Sequence, residues 1–523
     1  MPLRRSAPLF LALGAALAGL IGIVSALTPA FADRSDLVRS VLPPGVPEAA
    51  RIVALAFGIA LIWLARGLAR RKERAWQLAV VLVGASAAAH LVKGLDFEEA
   101  SISVLLLVAL WRYRREFTSP GEPAVLRPLA RVLLALGAVG LLLTLRETVP
   151  VSDDLETALV VLGALLTFRA LYLWLRPLAE RAEHTEEESL LARRVVRAQG
   201  RDSLAYFALR RDKSYLFSPT GRTFLAYRVV NGSALVCGDP IGEPGEVEEL
   251  IEEFRRIAHA SGWRVAALGT SEALVPLYRR LGFHAVYLGD EAVVRPGEFS
   301  LHGRPIRKVR QSVSRLRKAG FTVRVLRVDE VDAELRCEIA RVSAEWRGRW
   351  PERGFTMAMD ALWDYPESVL VVAEDPQGRI GGFLHLVPSP ACAGWSLATM
   401  RRCRDTPNGL MEFLIVEAIK WGRAQGVSEL SLNFSVFGEA LRAGRDAPFR
   451  LRVLRILLLR FDRFFQVERL HSFNRKFFPS WRPRFVCFER WTDAPLVALA
   501  YVHIEQLLTP PGPWVRDEDL AAV

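Results

Sequence analysis

The chain has 523 residues, with 69 lysines and arginines against 57 aspartates and glutamates, which gives a formal net charge of +12. Hydrophobic residues make up 51% of the chain and its mean hydropathy is +0.19, which excludes the composition of an ordinary soluble enzyme and favours a membrane protein with a basic face. The five cysteines are far apart and form no Cys-x-x-Cys pair. A zinc site and a disulfide framework are therefore disfavoured, and a reducing cytosol fits. We expect no bound metal and no cofactor.

The first third of the chain predicts a bundle of about six membrane helices. Its apolar runs lie at residues 9–27, 51–65, 76–92, 100–111, 129–145 and 155–175. A bilayer-spanning helix needs about 20 residues, so the fourth run is short and five spans is the alternative. Ala30-Phe31-Ala32, which follows the first run, is a possible signal-peptidase site. Cleavage there is the alternative to a first membrane helix.

The loops between these runs predict the orientation of the bundle. Basic residues crowd two loops and acidic residues occupy the loops between them. Because positively charged loops stay in the cytoplasm, the N-terminus and everything after Arg176 are predicted to be cytoplasmic. His90, Lys93 and Arg169 lie within or near the ends of runs, where they either snorkel or serve a function. The basic loop residues are Arg66, Arg70, Arg71, Lys72, Arg74, Arg112, Arg114 and Arg115, and the acidic ones are Asp96, Glu98, Glu99 and those within 147–154.

The remaining two-thirds predicts a cytoplasmic α/β region in two halves. After the bundle at 1–176, residues 177–202 form a charged connector and 203–300 the first half, in which Asn231-Gly232 is a hairpin turn. A basic linker helix at 301–320 precedes the second half at 321–510, and 511–523 form a tail. Predicted strands lie at 224–229, 234–237, 265–268, 322–326, 369–374, 381–387, 395–400 and 428–434, and predicted helices at 246–261, 274–281, 333–347 and 410–425.

The linker helix is strongly basic. Residues 304–318 contain seven arginines and lysines and no acidic residue, while Ile306, Val309, Val313 and Leu316 form an apolar stripe. One side of the helix therefore packs and the other is positive. Like charges in a row repel one another and favour an anionic partner, which would be RNA phosphate or anionic lipid. A plain solvated surface is the alternative.

Residues 449–465 predict a second basic amphipathic helix, in which arginines alternate with leucines and phenylalanine. Such a helix is typical of a membrane surface. The wall of a lipid channel is the other interpretation, since core packing would explain the leucines but not the arginines.

The stretch at residues 395–433 predicts a strand, a loop, a helix and a strand. Arg401, Arg402 and Arg404 crowd the end of the first strand, and residues 405–409 have turn composition. Guanidinium groups and the unbonded N–H groups of a helix start both favour negative charge. We therefore predict an anionic ligand where this strand ends and the helix begins.

Residues 473–485 carry two prolines and several aromatic side chains. These residues predict a rigid loop that presents Lys476, Arg482 and Arg484 together. Three cations on a rigid backbone are a plausible clamp for a phosphate group.

Several motifs together resemble the lysyl-phosphatidylglycerol synthase family, the multiple-peptide-resistance aminoacyltransferases. They are GDEAVV at 289–294, KVRQSVSR at 308–315, SLATMRR at 396–402, the Asn408-Gly409 helix start and FNRKFFPSWRPRF at 473–485. The resemblance covers residues 204–506 and, more loosely, the preceding runs. It implies two GNAT-like halves joined by a positive helix, and LYRRLGF at 277–283 resembles a corner of the GNAT fold. The predicted fold class is an α-helical transmembrane bundle followed by an α/β tandem GNAT-like cytoplasmic domain.

The resemblance also implies an activity. Members of the family move an aminoacyl group, usually lysyl or alanyl, from a charged tRNA to the hydroxyl of phosphatidylglycerol, which makes the bacterial membrane less anionic and resists cationic antimicrobial peptides. The expected protein is thus a phosphatidylglycerol lysyltransferase-like enzyme, multi-pass in the bacterial plasma membrane, with aminoacyl-tRNA and anionic phospholipid as partners. A homo-oligomer is an alternative to a single chain. The glycine-poor turn at 405–409 is unsuited to the pyrophosphate of acetyl-CoA, which disfavours ordinary acetyl transfer.

Two features depart from the family pattern. The acidic residue of the motif at 396–401 is Ala398 here, which weakens the case for lysine and for activity itself. The longer members also carry a flippase bundle, for which six predicted runs leave no room. The alternative functions are aminoacyl or acyl transfer to another lipid or amine, and a non-catalytic membrane protein that binds tRNA or anionic lipid.

We predict the site residues from these motifs. Transfer from an activated ester needs a positioned hydroxyl, proton removal and a stabilised oxyanion, without a covalent intermediate. Glu412 is the proton acceptor or else a capping residue, and His385 and His471 are predicted to be structural. The catalytic candidates are Arg401, Glu412, Lys476 and Arg484. The substrate-binding candidates are Ser396, Arg402, Asn408, Gly409, Asn433 and Trp481, and the tRNA-binding candidates are Arg307, Lys308, Arg310 and Arg315.

Overall fold

A computed structural model describes residues 2–27, 46–94, 97–119, 126–145, 153–174, 184–348, 358–436 and 467–506. The chain divides into two compact units. The first comprises Met1–Ala179 and Arg256–Trp263, and the second comprises Glu180–Arg255 and Arg264–Val523. The predicted basic helix at 449–465, the possible cleavage site at 30–32 and the tail at 511–523 lie outside the described residues.

The first unit is helical, and each of the six predicted apolar runs lies in a helix. By length and composition, however, only one helix among the described residues, through its segment Ala7–Val24, is able to cross a membrane. Four other described helices contain shorter apolar segments, three of them in the first unit. This measure supports one span where the sequence predicted six. The helices are α1 (Pro2–Leu27), α2 (Val46–Ala69), α3 (Glu73–Gly94), α4 (Phe97–Arg112), α5 (Leu126–Leu145) and α6 (Asp153–Trp174).

Two glycines allow α1 and α2 to pack closely. A Cβ atom on Gly19 would lie 2.5 Å from the carbonyl oxygen of Gly58, and one on Gly58 would lie 2.6 Å from the carbonyl oxygen of Gly19. Any larger residue at either position would force the helices apart. Small residues serve the same purpose where helices cross in membranes.

The second unit is built on one mixed sheet of 11 strands in the order β1-β2-β3-β4-β11-β5-β10-β9-β8-β7-β6. Neighbouring strands are antiparallel except β3 with β4 and β9 with β10. The strands are β1 (Ser214–Phe217), β2 (Phe224–Val230), β3 (Ser233–Cys237), β4 (Arg264–Ser271), β5 (His284–Val294), β6 (Thr322–Arg327), β7 (Val369–Glu374), β8 (Ile380–Ser389), β9 (Gly394–Arg402), β10 (Glu429–Val436) and β11 (Ser480–Phe488).

Helices cover both faces of this sheet. The helix after the connector, α7, begins with a capping box between Thr185 and Glu188, as its sequence dictates. The helices of this part are α7 (Glu186–Gln199), α8 (Val247–Ala260), α9 (Val275–Arg280), α10 (Arg307–Lys318), α11 (Ala333–Arg347), α12 (Leu410–Ala424), α13 (Val467–Asn474) and α14 (Ala494–Ile504).

The predicted hairpin is confirmed. Asn231 and Gly232 have φ values of 50° and 70°, as the two central residues of a type I′ turn require, and they join β2 to β3 in antiparallel register. The predicted strands and helices that fall on described residues are present, with ends that move by a few residues. The linker helix starts at Arg307 and ends at Lys318.

The predicted loop at 473–485 is wrong over much of its length. Residues 480–488 form strand β11, which lies between β4 and β5 and pairs with both. A strand from the end of the chain thus completes the sheet of the first half, and the sheet crosses the predicted boundary at 301–320. Nothing local marks this strand, because Pro483 disfavours a central strand and the partners lie about 200 residues earlier in the sequence.

The two faces of the second half carry different helices. The basic helix α10 and α12 bury Val313, Leu316 and Leu414 against Leu384 and Leu397 on one face. On the other face, α11 buries Ile339 and Val342 in a separate cluster with β7 and β8. The sheet therefore separates the surroundings of α12 from those of α11. Successive residues at the end of β9 point alternately to these two faces.

Candidate functional site

The two central parallel strands, β9 and β10, separate soon after they begin to pair. Their register joins Glu429 to Gly394 and ends at Ser431 with Ser396. Beyond this point β9 continues along β8 and β10 continues along β5. Ligands of open α/β sheets bind beyond the carboxyl ends of strands where neighbouring strands diverge, so this opening is the natural candidate site.

Asn433 spans the opening. Its side-chain amide donates to the backbone carbonyl of Leu397 at 3.0 Å, and its φ of 72° places it in the left-handed region. Asn474 donates from the other side to the carbonyl of Leu432 at 3.3 Å. Both asparagines therefore bond to backbone just beyond the last pair of β9 with β10, and these bonds hold the two strands where they diverge.

Arginines stand at the end of β9, as predicted. The guanidinium carbon of Arg401 lies 5.7 Å from the ring centroid of Trp346, the exposed aromatic residue near the end of α11. Arg402 is half-buried and lies opposite Gly382 of β8. The backbone N–H of Arg404 donates to Glu345 at 2.7 Å. An aromatic face beside a guanidinium group is suited to an anionic ligand with a flat ring.

The start of α12 lies next to this strand end. Gly409 caps the helix with φ of 95°, and a Cβ atom there would lie 2.6 Å from the side chain of Ser312 on the basic helix. Arg315 of the same basic helix donates to the carbonyl oxygen of Asn408. The predicted Asn408-Gly409 turn therefore brings α10 against the first turn of α12, and only glycine fits there.

Two catalytic candidates form an ion pair on the α12 side. Lys476 donates to Glu412 at 2.7 Å, and the lysine is exposed while the Glu412 side chain is largely covered. Phe477 beside the lysine is buried with Leu397 and Leu432 in the main core cluster. The ion pair thus lies close to the opening between β9 and β10. A carboxylate in this arrangement can accept a proton, with the ammonium group beside it to hold an anion.

Arg484 is inside the protein, not on an exposed clamp. It is 2% exposed, and its guanidinium group donates to Glu291 at 2.5 and 3.1 Å and to Asp202 at 2.8 Å. The nearby carboxylates raise the pKa of Arg484 above its usual value even though burial alone would lower it. The predicted phosphate clamp is therefore wrong for Arg484, because strand β11 turns its side chain toward acidic partners.

A polar network surrounds this buried arginine. Glu291 is fully buried and accepts hydrogen bonds from Ser203 and from Ser431, the latter at 2.6 Å. Ser396 donates to the backbone carbonyl of Ser203 at 2.7 Å. The network ties the segment after α7 to β5, β9, β10 and β11. Ser396, predicted to bind substrate, is used here to hold these elements together.

The network extends to a second carboxyl group, Asp239. Burial, together with the neighbouring Asp202, raises the pKa of Asp239 to about 6. Its carboxylate accepts from the backbone N–H of Ser271 at 3.1 Å. The charged form is thus disfavoured here in spite of Arg484, and Asp239 titrates close to neutral pH.

Arg482 and Trp481, on the same strand, are also engaged. Arg482 pairs with Glu429 at 3.1 Å on one of its two amino groups. Trp481 stacks on His471 with ring centroids 4.6 Å apart. Both side chains thus have partners in the fold. Of the three cations predicted to form the clamp, Lys476 and Arg482 are ion-paired with their side chains partly exposed, and Arg484 is buried.

Ala398 lies at a β-bulge of β9. The register with β8 shifts between His385 and Leu386, so that His385 faces Thr399 and Leu386 faces Leu397. Ala398 is 6% exposed and packs in a cluster with Tyr206 and Tyr365. The position at which the family pattern has an acid therefore points, in this protein, into apolar and aromatic surroundings.

The basic helix presents part of its charge to solvent. Arg307, Lys308 and Lys318 are exposed, and within the described chain no side-chain hydrogen bond or ion pair engages them. Arg310 instead donates to the carbonyls of Leu301 and Gly303 at 2.6 and 3.0 Å. Arg307, Lys308 and Lys318 are therefore available to an anion on the exposed side of the helix. Arg310 and Arg315 bond to backbone carbonyls, and Arg317 pairs with Glu417.

The two histidines predicted to be structural are buried. His385 shares a hydrogen bond of 2.8 Å with Ser368. Burial, with Arg401 nearby, lowers its pKa to about 3, so its imidazole is neutral at physiological pH. A covered ring of this kind is a poor candidate for proton transfer.

Sequence reasoning missed Glu291, Asp202 and Asp239 as parts of this region. Glu291 lies within the GDEAVV motif, so an acidic pair inside an otherwise apolar strand was the available signal. An acid in a buried strand requires a paired cation, and that requirement points to Arg484.

Comparison with known proteins agrees with the architecture and the motifs. The second unit has the fold of L-PGS from Bacillus licheniformis, with a TM-score of 0.56 and 22% identity over 63% of this chain and 98% of that one. It also matches the C-terminal domain of a putative lysylphosphatidylglycerol synthetase from Agrobacterium fabrum, with a TM-score of 0.52 and 25% identity over 60% and 96% of the two chains. The second unit thus shares its fold with these two structures.

The family follows from the sequence match. Residues 193–488 match the family described as phosphatidylglycerol lysyltransferase, C-terminal, and the chain belongs to this family. The bifunctional lysylphosphatidylglycerol biosynthesis protein LysX of Rhodococcus jostii is 38% identical over 68% of this chain and 32% of its own length. The LysX of Mycobacterium ulcerans is 34% identical over 88% of this chain and 46% of its own length. The chain thus spans about a third to a half of these relatives.

Proposed function

We propose that this protein transfers an aminoacyl group from aminoacyl-tRNA to the hydroxyl of phosphatidylglycerol at the membrane. The observation that carries the proposal is the set of arginines at the end of β9, next to the start of α12, on the strand that diverges from β10 after Ser396. The names of the relatives, which refer to lysylphosphatidylglycerol biosynthesis, support the same activity. We further propose that the two halves of the sheet are a tandem pair of GNAT-like units.

The proposed reaction is a transesterification. The hydroxyl oxygen of the lipid glycerol attacks the ester carbonyl carbon of the aminoacyl-tRNA and a tetrahedral oxyanion forms. The bond to the terminal ribose oxygen then breaks, and the proton lost by the lipid ends on that ribose oxygen. The reaction neither gains nor loses electrons, so the protein needs to supply positioning, a proton path and charge stabilisation.

Four side chains take the roles that the site offers. Arg402, on the α12 side of β9, would hold a phosphate group and the developing oxyanion, since guanidinium forks match phosphate geometry. Arg401, on the α11 side beside Trp346, would hold a phosphate group of the tRNA. Glu412 would accept the lipid proton, and Lys476 would lower the cost of the negative charge beside it. The 2.7 Å contact between Lys476 and Glu412 supports a coupled role for this pair. Arg484 would act as a positioning residue.

The basic linker helix would hold the tRNA by its phosphates. Arg307, Lys308 and Lys318 are exposed on α10, and Arg315 links that helix to the turn before α12. A tRNA bound along α10 would therefore have its acceptor end directed to the start of α12. Contacts to phosphate groups do not depend on the nucleotide sequence, so the same helix would hold different aminoacyl-tRNAs.

We propose that the first unit is a multi-pass membrane bundle with its basic loops in the cytoplasm. Basic and aromatic residues gather at one end of it: Arg74 lies 5.0 Å from the Trp174 ring, and Trp76 lies 6.1 Å from Trp111. The acidic residues Glu98 and Glu99 begin α4, at the opposite end from Arg112. Aromatic residues at the interface and positive charge on the cytoplasmic side are typical of membrane helices.

The transferred amino acid is proposed to be small or neutral. An ammonium group needs an anionic partner in a covered site, and Ala398 is not one. The carboxylates of Glu367 and Asp360 beside its aromatic neighbours are already hydrogen-bonded to Tyr206 and Tyr365. The same observation favours a second candidate function, a membrane protein that binds tRNA or anionic lipid without catalysis.

Transfer assays on the purified full chain would test the proposal. Separate tRNAs charged with radiolabelled lysine, alanine or other amino acids would be mixed with phosphatidylglycerol in detergent micelles, and lipid extracts would be resolved by chromatography. A labelled lipid ester would support the enzyme, and its absence with every charged tRNA would support the binding protein. Ala398→Asp should shift the preference toward lysine. A chain that makes only the lysyl ester, with selectivity unchanged in this variant, would contradict the assignment of a small amino acid.

A further inference from the structure

A cavity of about 350 Å³ lies in the first unit, at the end of α4, lined by residues 111–116. This size falls within the usual range of ligand sites, about 300–1,000 Å³. The lining residues follow one another in sequence as the helix passes into a short 3-10 turn at Arg114–Glu116. The cavity belongs entirely to the first unit and is formed by residues outside the proposed transfer site.

Cations and aromatic rings line this cavity in pairs. The guanidinium carbon of Arg114 lies 5.3 Å from the Trp111 ring, and that of Arg112 lies 5.8 Å from the Tyr113 ring. The three arginines at 112, 114 and 115 are exposed. Such pairs keep each cation at the wall of the cavity while its N–H donors stay available to an anion.

The acidic residue of the cavity wall is neutralised by an arginine from outside the wall. Glu116 pairs with Arg71 of the neighbouring loop at 3.8 Å. That loop is joined to the end of the cavity segment by backbone hydrogen bonds, from Ser119 to Arg71 at 3.0 Å and from Glu73 to Ser119 at 3.1 Å. The balance of charge around the cavity is therefore positive and its backbone is held in place.

An apolar strip leads along α4 to the cavity. Val104, Val108 and Trp111 follow one another at i, i+4 and i+7 and so lie on one side of α4, with exposed fractions of 48%, 62% and 56%. Hydrocarbon therefore fits along the helix, and a negatively charged group fits at its end. Trp76, whose indole N–H donates to the carbonyl of Leu110 at 2.9 Å, supports the Trp111 ring from the other side.

We propose that this cavity binds the phosphate headgroup of an anionic glycerophospholipid, with the acyl chains along the apolar strip of α4. The assignment rests on the proposed membrane placement of the first unit, but it is independent of the transfer chemistry. Clustered basic residues with aromatic partners at the cytoplasmic ends of helices are suited to anionic lipid headgroups. A soluble phosphate would gain nothing from the strip, which is why a lipid is the favoured ligand. The site would retain an anionic lipid in the first unit, separate from the lipid consumed by transfer.

Photolabelling of the full chain tests this inference. The full chain would be placed in phosphatidylcholine nanodiscs with a photoreactive phosphatidylglycerol analogue, and the labelled peptides would be identified by mass spectrometry. We expect labelling within residues 97–119. The double variant Arg112→Gln with Arg114→Gln should reduce it about ten-fold or more, because each basic residue near an anionic lipid contributes about a five-fold factor. The double variant Arg112→Lys with Arg114→Lys should retain most of it.

Controls separate this site from general electrostatics and from the transfer site. Arg66→Gln with Arg131→Gln changes the same number of charges on exposed residues of the same unit, and should leave the labelling of 97–119 unchanged. Labelling elsewhere, at 395–436 or 467–488, would report the transfer site and is counted separately. Three outcomes would each overturn the proposal: equal loss of labelling in the control variant, unchanged labelling in the Arg112 and Arg114 variant, or competition by soluble glycerol 1-phosphate as strong as that by unlabelled phosphatidylglycerol.

Discussion

At the scale of single residues, the same type of side chain has different roles according to its partner. Arg401 lies over an exposed tryptophan, Lys476 pairs with a covered carboxylate, and Arg484 is enclosed by two carboxylates. The first two remain near solvent, and the third does not. This difference gives opposite expectations when each is replaced.

Replacing Arg401 or Lys476 by alanine should reduce transfer strongly while the protein still folds. The loss of a cation that holds either the oxyanion or a tRNA phosphate should cost about 10²–10³ in rate, the size typical of a lost oxyanion donor, and it should appear in single-turnover transfer from purified aminoacyl-tRNA to lipid. Lys476→Arg should recover part of the activity because it keeps a cation beside Glu412.

Two matched variants control for the loss of a surface cation. Lys420 pairs with Glu417 at 3.0 Å two turns further along α12, and Arg379 pairs with Asp375 in an exposed turn. Lys420→Ala and Arg379→Ala should transfer at near-normal rates. Near-normal rates for Arg401→Ala and Lys476→Ala as well would remove these two residues from the mechanism.

Replacing Arg484 should damage folding rather than chemistry. Removing one partner of a buried ion pair typically costs about 3–5 kcal/mol, because the other charge is left without compensation. Arg484→Met should therefore lower the free energy of unfolding by about this amount, measured by denaturation of the detergent-solubilised chain. The double variant with Glu291→Gln, which also removes the stranded charge, should recover part of the loss. A stable, inactive Arg484→Met protein would instead indicate a direct role in transfer.

Asp239 should make the protein less stable as pH rises. Its pKa is about 6 in the folded protein, above the ordinary value for aspartate, so between these values the folded state binds more protons than the unfolded state. Stability is then greatest below the ordinary pKa and falls as pH rises toward about 6. Asp239→Asn should melt at a higher temperature than the parent above neutral pH, with the two converging near pH 4. A variant that melts lower at high pH would show that the aspartate charge is favourable there.

At the scale of elements, the basic helix α10 is the clearest case of a helix whose two sides have separate roles. Its apolar residues are buried against α12 and the sheet, while Arg307 and Lys308 are exposed and Arg310 bonds to backbone. The structure thus divides the four predicted tRNA-binding residues into exposed and structural members.

Neutralising the exposed cations of α10 should weaken binding of many tRNAs alike. The variant Arg307→Gln, Lys308→Gln and Lys318→Gln removes about three phosphate contacts, so the slope of log affinity against log salt should fall by about three units. Filter binding over a salt series measures this slope. Arg279→Gln with Arg280→Gln on α9 is the control. An unchanged slope in the α10 variant would indicate that the basic side of α10 is a solvated surface that does not bind tRNA.

At the scale of the whole molecule, the arrangement of the first unit decides where the second unit works. Charged tRNA is cytosolic, so the proposed function requires the residues after Arg176 to be cytoplasmic. The basic loops around Arg71 and Arg114 and the acidic start of α4 support this orientation.

Reporter fusions should show alternating sides along the first unit. A fusion after Gly121 is expected to report the cytoplasm, and one after Asp153 the outside, because the basic loops stay inside. A fusion at the end of the chain should report the cytoplasm and serves as the reference. The reverse pattern at Gly121 and Asp153 would exclude a cytosolic tRNA substrate for this chain.

By itself, the sequence determined the local features of this protein. The helical spacing of the apolar residues predicted α10, α11 and α12, the Asn231-Gly232 turn predicted the hairpin, and the excess of arginines at 401–404 indicated the cationic character of the candidate site. Each of these depends on residues a few positions apart, whose spacing is a direct consequence of backbone geometry. The motifs that identify the family are local in the same sense.

Only the tertiary structure decided which cations remain available. Arg484 meets Glu291, 193 residues earlier in the chain, and is enclosed, while Lys476, eight residues before Arg484, meets Glu412 and stays exposed. It also placed β11 between β4 and β5, where it crosses the boundary that composition predicted. Sheet pairing joins segments that are distant in sequence, and a charge is buried or exposed according to the partners such pairing brings to it. The spacing of residues along the chain carries no record of those partners.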